Sequence, residues 1–150
     1  MVTADMLPLS LLYERDETAW LETMSALVAE GRLAEINHHN LSEYLSDMAK
    51  RDRREVFSRL VVLLAHLLKW EYQPDKRTGP WRATIEFQRM ELDDILESAT
   101  LRNHAVAVLD KAYTNAVRQA VAETSLAESG FPTECPHTLE AVLSKPLEAN

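Results

Sequence analysis

Leu60-Val-Val-Leu-Leu-Ala-His-Leu-Leu-Lys-Trp-Glu-Tyr-Gln-Pro74 decides the fold. Its first nine residues, Leu60 to Leu68, hold one polar side chain, His66, and no Gly or Pro. Leu and Ala make the α-helix the least costly conformation for such a run. Nine residues span roughly 14 Å of helix, about half of a bilayer core. Arg59 and Lys69 add charge at both flanks. The stretch is therefore the expected centre of a helical bundle and not a membrane span, because a helix apolar nearly all round must be covered by neighbours. Each Leu or Val buried there contributes on the order of 1.5–3 kcal/mol. Pro74 closes the helix, since the residue before a proline is pushed out of the α region.

The flanking sequence supplies the neighbours. Asp75-Lys-Arg-Thr-Gly-Pro80 is a turn, with Gly79 as cap and Pro80 at the first position of a helix whose stripe is Trp81, Ile85, Gln88, Leu92 and Ile95. So short a connection makes the helices on either side antiparallel neighbours. Thr100 is placed to cap a further helix carrying Leu101, Ala105, Val108, Leu109, Ala112, Ala116, Val117 and Ala120, stopped by Gly130 and Pro132. Phe131 to Pro136 is expected to be extended, and Thr138 to Ser144 to form a last turn or two of helix.

Upstream, Asp16 has the character of an N-cap before the stripe Trp20, Leu21, Met24, Leu27 and Val28, with Gly31 at its C-terminal end. Asn37 is the next cap, with Ile36 and Leu41 at hydrophobic-staple spacing. Leu41, Tyr44, Leu45 and Met48 then share a face. The apolar period pauses at Lys50, and Asp52-Arg53-Arg54-Glu55 has capping-box spacing, so a break or kink is expected near residue 50. A continuous helix from 38 to 73 is the rival, because neither Gly nor Pro intervenes. The expected fold is all-α: a single-domain bundle of four to five helices over residues 10–145, with a flexible leader at 1–9 and a C-terminal tail at 146–150.

A chain of 150 residues is long enough to bury a proper core. Hydrophobic residues make up 46%, and three Gly with six Pro disfavour both disorder and a turn-rich β fold. The single cysteine, Cys135, excludes an intramolecular disulfide and suits a reducing compartment. The start, Met-Val-Thr-Ala-Asp-Met-Leu-Pro, lacks the basic and apolar regions of a secretory signal. A cytoplasmic location is expected. The net charge of −8 is unevenly spread. Residues 50–89 hold 10 of the 16 basic side chains against 5 acidic ones, a balance of +5, and the rest of the chain holds 6 against 19, a balance of −13. Overall acidity argues against bulk nucleic-acid binding while leaving one basic face.

The segment Leu-Leu-Ala-His-Leu-Leu-Lys-Trp-Glu-Tyr-Gln-Pro, followed by Arg77 and Trp81-Arg-Ala-Thr-Ile, resembles the bacterial family known as domain of unknown function 29. Leu12-Tyr-Glu-Arg-Asp16, Ala19-Trp20, Asp47-Met48, Arg53-Arg54-Glu55 and the Phe131-Pro…Cys-Pro136 stretch extend the likeness over most of the chain. Ala49 stands where family members tend to place Gly, which weakens the expected break near 50. The resemblance implies an all-helical fold in a bacterial cytoplasm. It carries no catalytic residue with it.

Two polar interruptions mark the candidate site. His66 shares a helical face with Lys69, Trp70 and Gln73, and Gln88 interrupts the stripe of the following helix. Buried polar groups need partners, since leaving one unpaired costs roughly 1–3 kcal/mol. The structural reading is a core network in which His66 bridges Gln88 to a backbone carbonyl or to Tyr72. The functional reading is a binding pocket for an anion or an acidic side chain, drawn from His66, Lys69, Trp70, Tyr72, Gln73, Arg77, Trp81, Arg82 and Gln88. Arg77 or Arg82 is expected to stack on the aromatic rings. No catalytic residue, metal site or cofactor is expected: no serine elbow, phosphate loop or activated cysteine context is visible, and Cys135-Pro-His137 lacks a second pair at metal-site spacing.

What remains is a non-enzymatic protein-interaction or regulatory module, with self-association favoured by the split charge. The alternative is nucleic-acid or phosphate-ligand binding through Lys50, Arg51, Arg53, Arg54 and Arg59, or through the Arg77/Arg82 corner.

Overall fold

The computed structural model describes residues 7–149. Among them are six helices and no strand: α1 (Leu9–Arg15), α2 (Glu17–Ala29), α3 (His38–Tyr72), α4 (Gly79–Ile95), α5 (Ala99–Thr124) and α6 (Leu139–Ser144). The protein is all-α, with three short 3-10 turns at Leu33–Glu35, Pro74–Lys76 and Glu128–Gly130. None of these helices is long and apolar enough to cross a membrane. The chain divides into two compact units, residues 1–50 and 51–150, and α3 contributes to both.

In the first unit, Asp16 caps α2 as expected, its side chain accepting from the Ala19 N–H at 3.1 Å. Gly31 follows the helix at φ +71°, a left-handed conformation that glycine adopts without a Cβ penalty. The core is small: Trp20, Met24 and Leu27 are buried, with Leu9, Leu12, Tyr13, Leu21, Ile36, Leu41 and Tyr44 around them. Tyr13 meets the Trp20 ring edge-on at 4.7 Å between centroids, and Tyr44 lies at 5.7 Å. Asn37 precedes α3, and its side-chain oxygen accepts from the Trp20 indole N–H at 3.3 Å. Two residues of the expected stripes face outward: Val28 and Leu45 are both more than half exposed. Helix α1 was not expected. It occupies seven residues, and Pro8 offers it no side-chain cap.

The expected break near residue 50 does not exist: α3 runs unbroken for 35 residues. The charged run at 49–55 interrupts the apolar period without interrupting the helix, because Ala, Lys, Arg and Glu are all good helix formers. Asp52 to Glu55 lie inside α3 and do not cap it. The helix ends at Tyr72, two residues before Pro74.

In the second unit, α3 from residue 56 supplies nine buried side chains: Val56, Leu60, Leu63, Leu64, Ala65, Leu67, Leu68, Lys69 and Trp70. Helix α4 packs antiparallel to it, as expected from the short turn: Arg59 reaches Gln88 and Glu91, while Lys69 lies over Trp81. Helix α5 runs parallel to α3, since Phe57 meets Lys111 and Lys69 meets Glu123. Its buried alanines, 105, 112, 116 and 120, let it approach closely. The caps differ from expectation by one or two residues. Thr78 caps α4 in place of Gly79, and Ser98 caps α5 in place of Thr100, each accepting from the N–H three residues on at 3.3 Å. Helix α5 stops at Thr124, ahead of Gly130, because Ser125 turns left-handed at φ 63°. Thr138 caps the expected last helix, α6, whose Leu139, Val142 and Leu143 are buried. Beyond it, Leu147 packs against the core, and the Glu148 carbonyl accepts from the Trp70 indole N–H at 3.2 Å.

Candidate functional site

Of the predicted site residues, the structure pairs Arg77 with Trp70 and Lys69 with Trp81, and the others have separate neighbours. The Arg77 side chain is 5% exposed; its Nε donates to the Trp70 carbonyl at 2.8 Å and its Nη1 to the carbonyls of Glu148 and Ala149 at 3.3 Å. The guanidinium also stacks on the Trp70 ring at 4.9 Å, the expected cation–π contact. Arg77 thus satisfies an orphan carbonyl at the C-terminus of α3 and ties the end of the chain to it. Lys69 is buried, donates to Glu123 Oε2 at 2.6 Å and lies 5.2 Å from the Trp81 ring centre. Tyr72 meets Phe131 edge-on at 5.3 Å, and Gln73 donates its backbone N–H to the Lys69 carbonyl. Arg82 is exposed.

The expected His66–Gln88 bridge is not formed. His66 Nδ1 lies 2.8 Å from the Val62 carbonyl one helical turn back, and Gln88 Oε1 accepts from Arg59 Nη1 at 3.1 Å. A helical histidine finds a carbonyl within its own turn more cheaply than it can reach across to another helix. Burial holds the His66 pKa below its ordinary value, so the ring is neutral near pH 7 with its proton on Nδ1. Because the unfolded chain takes up that proton more readily, stability is lost as pH falls below the ordinary imidazole value near 6.5. The melting temperature of the wild type is expected to fall more between pH 7 and pH 5.5 than that of His66→Leu. Equal falls would show that His66 does not carry the acid sensitivity.

A different constellation forms lower on α3. Arg53, Arg54 and Phe57 face His104, Val108 and Lys111 of α5 across a groove of about 240 Å³. The Lys111 ammonium lies over the Phe57 ring at 5.7 Å. Arg53, Arg54 and Lys111 are exposed at the rim, while Phe57, Val108 and His104 are half-buried below them. Arg53, Arg54 and Lys111 give the rim a local positive balance on a chain whose net charge is −8. Sequence alone showed the Arg53-Arg54 half of this groove. The other half stands about 50 residues away, so only the pairing of α3 with α5 reveals it.

A family model described as Domain of unknown function DUF29 matches residues 12–147. The chain belongs to this family. Searches of curated proteins and of solved structures found no match. In this DUF29 chain the long motif spanning α3 and α4 encodes the Trp70–Arg77 brace and the Lys69–Trp81 contact.

A hollow of about 490 Å³ beside α5 is lined by Tyr113, Val117, Glu128 and Phe131. Burial pushes the Tyr113 hydroxyl up to about 12, and it donates to the Pro132 carbonyl at 2.6 Å. Burial likewise raises the Cys135 thiol, which makes it a poorer nucleophile at neutral pH. Two Glu-x-x-His spacings occur in the sequence, Glu35 to His38 and Glu134 to His137. Glu35 is engaged by Arg32 and His137 by Glu71, and no cluster of three metal-ligating side chains forms among the described residues.

Proposed function

We propose that this DUF29 chain is a non-enzymatic protein-interaction module that captures an acidic segment of a partner protein in the groove between α3 and α5. The observation that carries this reading is the rim of Arg53, Arg54 and Lys111 above the half-buried Phe57, Val108 and His104. The rim supplies charge complementarity, which sets on-rate and partner choice, and the floor takes one apolar side chain. Exposed ion pairs contribute only about 0.2–1 kcal/mol each, so affinity is expected to be modest. The Trp70–Arg77 corner serves as a brace within the second unit, because its charged groups are already engaged there. A reduced Cys135 and the family likeness fit a bacterial cytoplasm.

Fluorescence anisotropy tests the proposal with a labelled short peptide of Asp and Glu bearing one central Phe. Binding is expected at low salt, weakening as salt screens the rim. Arg53→Glu with Lys111→Glu should weaken it at least tenfold. A labelled single-stranded oligo-dT run in parallel checks the alternative. Tighter binding of the oligonucleotide would replace the protein reading with a nucleic-acid one. No binding of either probe at about 50 mM salt would remove the groove as a ligand site.

A further inference from the structure

The chain itself carries a surface that matches this groove. Helix α4 presents Phe87 and Met90 to solvent, 52% and 68% exposed, although both are large apolar side chains of the kind a folded chain ordinarily buries. They stand three residues apart, on the same face as Glu86, Asp93 and Asp94, all exposed. The result is a convex helical ridge with two apolar knobs between carboxylates. The groove has the inverse character: concave, apolar at Phe57 and Val108, and basic at Arg53, Arg54 and Lys111. Ridge and groove share no residue, so one molecule can offer both at once. Arg59 flanks Phe87 on its own chain at 5.8 Å, which shows that this ring already accepts a guanidinium neighbour.

We infer that the occupant of the groove is the Phe87–Met90 ridge of a second copy of this chain, an inference that rests on the groove being a site for acidic protein segments. The contact is heterologous, ridge of one protomer into groove of the next, and so leaves a free ridge and a free groove at the two ends. Assembly is accordingly open-ended unless the rotation between copies closes a ring. Its electrostatic component makes it sensitive to salt.

Sedimentation velocity of the full chain over a concentration series, at low and high salt, reads this out. Wild type is expected to shift from monomer to larger species with concentration, less so at high salt. Phe87→Asp with Met90→Asp should be monomeric yet bind the acidic peptide as wild type does. Arg53→Glu with Lys111→Glu should be monomeric and lose the peptide at least tenfold. An equimolar mixture of the two should restore a dimer and nothing larger, because one copy retains a groove and the other a ridge. Melting curves confirm that each variant is folded, and the salt response of wild type stands independently of them. A wild type that stays monomeric while still binding the peptide overturns the inference and leaves the groove reading intact. Loss of both overturns the groove reading as well. Self-association that survives either double substitution, or a mixture that remains monomeric, also overturns it.

Discussion

Trp20→Ala is expected to cost about 3–5 kcal/mol, the range for emptying a buried tryptophan site, and to act on the first unit alone. The indole is fully buried and lies between Tyr13 and Tyr44, and among the described residues only Met24 and Leu27 are buried in the same cluster. With so few buried groups, losing the largest removes much of what holds α1 and α2 in place. Hydrogen exchange is the suitable readout. Amides of residues 17–29 should lose protection, while those of residues 60–70, packed in the separate core of the second unit, keep theirs. Uniform loss along the chain, or no loss, would contradict this account of how the core is divided.

Glu123→Ala is expected to destabilise the protein by about 2–3 kcal/mol, more than Lys69→Met, which should stay within about 1 kcal/mol of wild type. The asymmetry follows from burial. The Lys69 side chain is 7% exposed and that of Glu123 41%. Removing Glu123 strands a buried ammonium against Trp81, whereas Lys69→Met places an apolar chain of similar length there and lets Glu123 turn to water. The full range of about 3–5 kcal/mol for a broken buried pair is not expected, because Glu123 is partly solvated and the Trp81 ring still faces the cation. Lys69 also holds the Glu123 carboxyl below its ordinary pKa, so this contribution is present above the usual carboxylate range and fades as pH falls through the lowered value. Urea titrations of both variants and of the pair decide it. A costlier Lys69→Met than Glu123→Ala would refute the asymmetry, and the double substitution should be non-additive.

What could be read from sequence was local. Leu60 to Leu68 announced a buried helix because composition alone makes it one, and all but three of those nine residues are buried. Asp16 and Gly31 announce helix ends because capping and left-handed turns depend on single residues. The failures have equally specific causes. Helix α1 has no capping side chain, and its Leu9, Leu12 and Tyr13 are held by the Trp20, Met24 and Leu27 cluster, a tertiary contact. The lapse in apolar period near residue 50 marks where burial stops, not where the helix stops. His66 and Gln88 both interrupt apolar stripes, but each has a nearer partner, in Val62 and Arg59. The stacking of Arg77 on Trp70 was legible as an Arg on an aromatic ring, though not as a brace, since its use depends on the chain end returning at Glu148. The groove was half legible, because its α5 side is ordinary until α3 lies beside it.

Titration of the isotopically labelled protein with the acidic peptide, followed by amide chemical shifts, tests the central claim most directly, because it reports where a ligand sits as well as whether it binds. Saturable shifts are expected at Arg53, Arg54 and Phe57 on α3 and at His104, Val108 and Lys111 on α5. Shifts centred instead on Trp70, Arg77 and Trp81, or no saturable shifts at all, would contradict it.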